Sequence, residues 1–178
     1  KKQLNVVGIK YFIEPNWSLF MSKTKYFNIK KPYAIIVPGG SRHRLTKRWN
    51  IENYIDVIRY LSKLDFLTIL VGGNDEISIN EKVDEKKLKI LNLIGKTSFL
   101  DLANLSRGAD IILGNDTGPM HLLTACSSHN TKSIVLFGND SDPKLCAPIG
   151  SNVVILQKEN INQITPNEIK NLIKRKKL

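Results

Sequence analysis

The run Ile111-Ile112-Leu113-Gly114-Asn115-Asp116-Thr117-Gly118-Pro119-Met120-His121 decides how the rest of the chain is read. Its apolar start, too short for a helix, reads as a buried strand. The glycine–proline turn behind it opens a helix, because proline suits the first helical turn. The turn carries a carboxylate, a hydroxyl and a nearby imidazole. In open α/β sheets, ligands bind just past the carboxyl ends of strands. Helix N-termini draw phosphates through free N–H groups and a partial positive charge. The same residues also make an ordinary helix start, since Asp or Thr is a common N-cap. Taken alone, the loop leaves capping and anion binding both open.

Working outward, strands and helices alternate. Ala34–Val37 is a short β-rich run ended by Pro38-Gly39-Gly40. Asn50 caps a predicted helix whose apolar residues Ile51, Tyr54, Ile55, Ile58 and Leu61 share one face. Phe66–Val71 is a second buried strand, Glu76–Lys87 a polar helical stretch and Ile90–Leu93 a short strand. Ser98 and Asp101 form a capping-box pattern for a helix that Gly108 ends. Strand Asp110–Leu113, a helix from Pro119 to about Cys126, and strands Ser133–Phe137 and Val153–Leu156 follow. Thr165-Pro166-Asn167-Glu168 starts a basic C-terminal helix. This alternation implies an α/β fold: a doubly wound parallel sheet with helices on both faces. The near-continuous apolar strands agree, since such sheets are buried on both sides.

Composition narrows the function classes. The chain has 178 residues, enough for one domain with a hydrophobic core. No apolar run approaches the roughly 20 residues of a membrane span, and no signal peptide is visible. The first residue is Lys1 rather than Met, which reads as a fragment or processed form. Cys126 and Cys146 lack metal-ligand or redox spacing, and this usage favours a reducing, cytoplasmic compartment. The net charge of +11 leaves an anionic small ligand, an anionic membrane surface and nucleic acid in competition. Aromatic ribonucleoprotein motifs and zinc spacing are absent, so no nucleic-acid partner is expected. The basic tail Lys170–Lys177 reads either as a solvated amphipathic helix or as a peripheral contact with the inner membrane.

Four loops on one side of the expected sheet carry matching chemistry. After the first strand, Gly39 and Gly40 allow close backbone approach, Ser41 can hydrogen-bond a phosphate and Lys47 can neutralise one. After the second, Gly72-Gly73-Asn74-Asp75-Glu76 offers carboxylates for ribose hydroxyls, or simply acids at a helix start. Gly95-Lys96-Thr97-Ser98 follows the third and the Asp116 loop the fourth. Neither a Walker A loop nor a G-x-G-x-x-G fingerprint is present. No G-x-S-x-G elbow exists for a hydrolase triad. His43, His121 and His129 show no paired spacing, so neither a metal site nor a cofactor is expected.

These residues resemble a family. Leu93-Ile94-Gly95-Lys96-Thr97-Ser98-Phe99-Leu100-Asp101-Leu102-Ala103, leading into Ala109-Asp110 and Asn115 to Leu122, is similar to the signature of the family 9 glycosyltransferases, the ADP-heptose:lipopolysaccharide heptosyltransferases. Pro38-Gly39-Gly40-Ser41 with Lys47-Arg48-Trp49 resembles their first nucleotide-sugar loop, and Val71 to Glu76 the second. Phe137-Gly138, Asp142-Pro143 and Pro148-Ile149-Gly150 resemble the segment after the fifth strand. The likeness covers roughly residues 33–156, in order.

The resemblance implies one half of a GT-B enzyme, in which two Rossmann-like domains face across a cleft. Residues 33–178 would be its C-terminal, donor-binding domain and 1–32 a linker and the tail of an N-terminal domain. That other domain would bind the acceptor and supply the general base, so no catalytic residue is expected here. By the same resemblance Asp116, Thr117, Gly118 and His121 contact the diphosphate and sugar of the donor. Gly40, Ser41, Lys47 and Trp49 belong to the phosphate loop, Glu76 meets the ribose, and Lys96-Thr97 faces the adenine. The implied reaction is an inverting transfer of heptose or a related sugar from an ADP-sugar to lipopolysaccharide core or a similar glycan. The alternative is a non-catalytic module that binds a nucleotide sugar or an anionic surface. Three features depart from the family pattern: the longer Ser127–Lys132 turn, the longer Gly138–Pro143 loop and the basic Arg42–Thr46 stretch.

Overall fold

The computed structural model describes residues 8, 29–30, 32–40, 44–73, 76, 88–150 and 152–174. Six strands, β1 (Tyr33–Val37), β2 (Leu67–Leu70), β3 (Ile90–Asn92), β4 (Ile111–Asn115), β5 (Lys132–Phe137) and β6 (Val153–Gln157), form one sheet. Their order is β3-β2-β1-β4-β5-β6, and every neighbouring pair is parallel. Helices α1 (Ile51–Lys63), α2 (Phe99–Gly108), α3 (Gly118–Cys126), α4 (Pro143–Cys146) and α5 (Pro166–Lys174) accompany it. This is the doubly wound α/β sheet that the alternation implied.

Successive residues of a strand point to opposite faces, so a sheet covered twice needs apolar residues at every position. All five residues of β1 and of β4 are buried. On one face Ile36, Leu113 and Leu136 pack with Tyr54, Ile58 and Leu61 of α1 and with Ile169 and Ile173 of α5. On the other, Ile35, Ile112 and Val135 pack with Leu102 and Leu105 of α2 and Met120 and Leu123 of α3. The outermost β6 is only partly covered.

The helix starts are where local chemistry put them. Asn50 Oδ1 accepts from Glu52 N at 3.1 Å. Ser98 and Asp101 exchange the two bonds of a capping box, at 3.2 and 2.9 Å. Thr165 and Glu168 do the same for α5, and the Thr165 backbone N–H is the main reason the Glu168 carboxyl sits below its ordinary range. One C-terminus differs from expectation. Gly108 closes α2 as its last residue rather than in a left-handed turn; the cap is Ala109, in extended backbone. The reason for a glycine there is space, since a Cβ would collide with the Tyr33 ring, whose hydroxyl donates to Leu105 O at 2.7 Å. After α1 the left-handed residue is Asp65, at φ 65°. Asp65 N and Phe66 N close back on Ser62 O and Leu61 O, both at 3.1 Å.

Three short elements lack any periodic signal: α4 and the 3₁₀ turns Leu45–Lys47 and Ile161–Gln163. The expected polar helix Glu76–Lys87 lies outside the described residues, apart from Glu76. So does most of the 1–32 segment, although Ile29 packs against the α2–α3 face. Among the described residues no helix is long and apolar enough to cross a membrane. The apolar face of α5 is spent on α1, and Lys170 pairs with Asp56 at 2.7 Å.

Candidate functional site

The strands β1 and β4 are neighbours, yet their chains leave in opposite directions. Val37 lies beside Gly114 in the register, so the two strands end level. The chain from β1 continues into α1 on one face, and the chain from β4 into α3 on the other. Diverging connections at adjacent strand ends leave a crevice where ligands bind in this architecture. Gly114 keeps it tight: a Cβ there would stand 2.8 Å from both Val37 Cβ and Met120 Sδ.

The crevice opens into a cleft of about 510 Å³. Three loops line it: Gly40, Arg44 and Lys47 after β1, Gly73 and Glu76 after β2, and Asp116, Thr117 and Gly118 after β4. Lys47 donates to Asp116 Oδ2 at 2.9 Å, with both side chains nearly buried. Ser141, from the loop after β5, donates to the same oxygen at 2.8 Å. His121 Nε2 stands 3.6 Å from Asp116 Oδ1, an electrostatic neighbour beyond hydrogen-bond length. Burial alone pushes the Asp116 carboxyl up. Donation from Lys47 and Ser141, with the charges of Lys47 and His121, overcomes that and holds it below its ordinary value of 3.8.

Asn115 sets the spacing of the two central loops. It is fully buried. Its Oδ1 accepts from Tyr54 Oη at 2.8 Å and Trp49 N at 3.2 Å. Its Nδ2 donates to Gly39 O at 3.0 Å and Pro38 O at 3.2 Å. One side chain thereby ties the end of β4 to the loop after β1 and to α1. Burial also drives the Tyr54 hydroxyl well above its usual pKa, keeping it a neutral donor.

Trp49 stands in the core rather than among the residues that line the cleft. Its side chain is only 2% exposed, and its indole N–H donates to Ile164 O at 2.8 Å. It stacks edge-on against Tyr54 and anchors the Lys47 segment from below. Glu76 is buried too, and Oε2 accepts from Gly73 N at 2.7 Å. Its side chain fills the space above Gly39, where a Cβ would come within 2.5 Å of it. Arg48 reaches Glu76 Oε1 at 3.7 Å and also donates to Gly40 O. Thr117 is the N-cap of α3 by position, but its hydroxyl makes no capping bond. That oxygen is buried and unpartnered among the described residues, and its residue lines the cleft.

Not every expected residue gathers here. Lys96 is exposed and donates to Asn92 O at 3.2 Å. It and Thr97 follow β3 at the sheet's edge, two strands from the crevice, and do not line the cleft. Ser41 lies outside the described residues. Sequence reasoning missed Ser141, Arg44 and the linking role of Asn115. Ser141 was within reach of the strand-end rule, because its loop follows β5, the next strand beyond β4.

Known proteins share this fold. The model of glycosyltransferase family 9 (heptosyltransferase) matches residues 13–175. A lipooligosaccharide heptosyltransferase 2 of Campylobacter jejuni is 25% identical over 158 residues, covering 78% of this chain and 48% of its own length. The lipopolysaccharide core heptosyltransferase OpsX of Haemophilus influenzae is 28% identical over 158 residues, covering 83% and 44%. The chain spans about half the length of these relatives. Among solved structures, E. coli ADP-heptose lps heptosyltransferase II superposes with a TM-score of 0.71 at 20% identity, over 82% of this chain and 46% of that one. E. coli heptosyltransferase WaaC with ADP gives 0.70 at 24% identity, over 81% and 44%.

Proposed function

The chain belongs to glycosyltransferase family 9, and from that premise we propose that residues 33–178 are the C-terminal, donor-binding half of an inverting GT-B heptosyltransferase. In this reading an ADP-sugar, heptose or a close relative, occupies the cleft, and the acceptor is lipopolysaccharide core or a similar glycan. The observation that carries it is the Lys47–Asp116 pair beside the uncapped start of α3, at the β1–β4 crevice. A helix N-terminus, a lysine and an unused threonine hydroxyl suit the diphosphate of a nucleotide sugar. WaaC is known with ADP and with ADP-2-deoxy-2-fluoro heptose, which supports the same donor class here.

The chemistry follows from charge. An acceptor oxygen attacks the anomeric carbon as the bond to the diphosphate oxygen breaks, and the acceptor proton passes to a base. The leaving diphosphate gains negative charge, which Lys47, the Thr117 hydroxyl and the first N–H groups of α3 would stabilise. Glu76, at the β2 loop, would accept from ribose hydroxyls, and the adenine would extend past β2 toward Lys96-Thr97 at the sheet edge. The base belongs to the other half of the enzyme. With a lipid-linked acceptor, the enzyme would work in the cytoplasm, and the proposal extends to a peripheral contact with the inner membrane.

Calorimetry with ADP-, UDP- and GDP-sugars tests the proposal. The expected result is ADP-sugar binding that weakens about tenfold or more in Lys47→Ala and in Asp116→Ala. A folded protein that binds none of the three would sink it. Among the described residues the competing reading, a module for anionic surfaces, has no comparable built feature: the apolar face of α5 packs on α1. Flotation with anionic vesicles at low salt separates the two.

A further inference from the structure

We infer that Ser141 is a positioning residue for the donor: its hydroxyl, with the Lys47 ammonium, locks Oδ2 of Asp116 and leaves Oδ1 as the oxygen that meets the ligand. The inference rests on the donor-site reading and deepens it. Lys47 and Ser141 come from loops after β1 and β5, on either side of the strand that carries Asp116. Both donate to one oxygen, at 2.9 and 2.8 Å. A carboxylate held by two donors on one oxygen cannot rotate without breaking both. Among the described residues its other oxygen faces His121 at 3.6 Å and accepts no hydrogen bond, which leaves its lone pairs for a donor hydroxyl.

The arrangement also divides labour. Lys47 alone could leave Asp116 to follow a phosphate, because an ammonium rotates freely on a flexible stem. Ser141 supplies a neutral donor that stays behind when Lys47 turns toward the diphosphate. Asp116 then keeps a partner on Oδ2 throughout binding. The other charged groups do not substitute for it. Asp142 is turned to its own helix, accepting from Lys144 N at 2.9 Å. Arg48 is turned to Glu76, 3.7 Å from Oε1. Arg44 lines the cleft without bonding to Asp116, and Asp140, also on the β5 loop, adds negative charge rather than a donor.

Carbon-detected NMR titration of the Asp116 carboxyl in the whole chain, with calorimetry against ADP-heptose, tests this. In Ser141→Ala the Asp116 midpoint should rise by about one pH unit and ADP-heptose affinity fall about tenfold. Ser141→Thr, which keeps the hydroxyl, should restore both, and it stands in should alanine disturb the loop. An unmoved midpoint in Ser141→Ala overturns the inference, as does a shift that threonine does not reverse. A shifted midpoint with unchanged affinity overturns it as well. A wild-type protein that binds no ADP-heptose, while the midpoint still shifts and threonine restores it, removes the donor reading and leaves the Ser141–Asp116 lock standing.

Discussion

The sheet has a hollow at each end, and the two differ in kind. At the carboxyl edge the cleft is lined by Lys47, Asp116, Glu76 and glycine backbone. At the amino edge a hollow of about 390 Å³ is lined chiefly by Tyr60, Leu64, Phe66, Ile111 and Ile173, with Asp110 and Lys174 at its margin. The contrast follows from the parallel sheet. Every crossover helix starts at the carboxyl edge, so N-termini and their partial positive charges gather there. The amino edge collects helix C-termini, and its hollow is a gap where α1 and α5 continue the core past the sheet. Apolar lining therefore marks packing here, and converging charge marks the proposed ligand site.

The largest effect that could break this contrast is on stability at the amino edge. Ile111→Ala, at a residue 1% exposed, should cost about 3 kcal/mol in denaturant unfolding and leave ADP-sugar affinity within about twofold. A large loss of affinity would show that the two ends are coupled. An intermediate effect depends on pH. Asp116 has its folded pKa below the ordinary 3.8, so its ionised form stabilises the fold. That contribution is fully present above 3.8 and is lost as pH falls through the depressed value. Denaturation of wild type and Asp116→Asn should differ at neutral pH and converge at lower pH; a constant difference would contradict the Lys47–Ser141 account. The smallest effect tests backbone alone. Asp65→Gly removes the strain of φ 65° and the exposed pair with Lys89. The net gain should be about 0.5 kcal/mol by thermal melting, with no change in ligand affinity.

Much of the fold was legible. The strand runs Ala34–Val37, Phe66–Val71, Ile90–Leu93 and Ser133–Phe137 fall within a residue of β1, β2, β3 and β5. They were readable because burial on both faces removes polar residues from the strand. The α1, α2 and α5 starts were readable because caps are made by side chains two or three residues away. The short α4 and the 3₁₀ turns Leu45–Lys47 and Ile161–Gln163 were not, since a single helical turn carries no period. Gly108 was misread because its glycine answers a distant tyrosine, not the helix end.

The site divides the same way. The loops after β1, β2 and β4 announced themselves by glycine and charge within a few residues of a strand. Trp49 was grouped with the site residues through the resemblance of Lys47-Arg48-Trp49 to the family's first loop, whereas packing turned its ring into the core. Ser141 went unread because nothing local ties a serine after β5 to an aspartate 25 residues earlier.

By itself the sequence determined the parallel α/β layering, the helix starts and which loops carry phosphate-suited groups, because these depend on periods and caps that span a few residues. Tertiary structure alone decided the order β3-β2-β1-β4-β5-β6 and the level ends of β1 and β4. It also decided the four bonds of buried Asn115 and the meeting of Lys47 and Ser141 on one oxygen of Asp116. The physical reason is that hydrogen bonds and ion pairs across 25 to 77 residues form only after the two apolar faces have closed on the sheet and fixed where each loop stands.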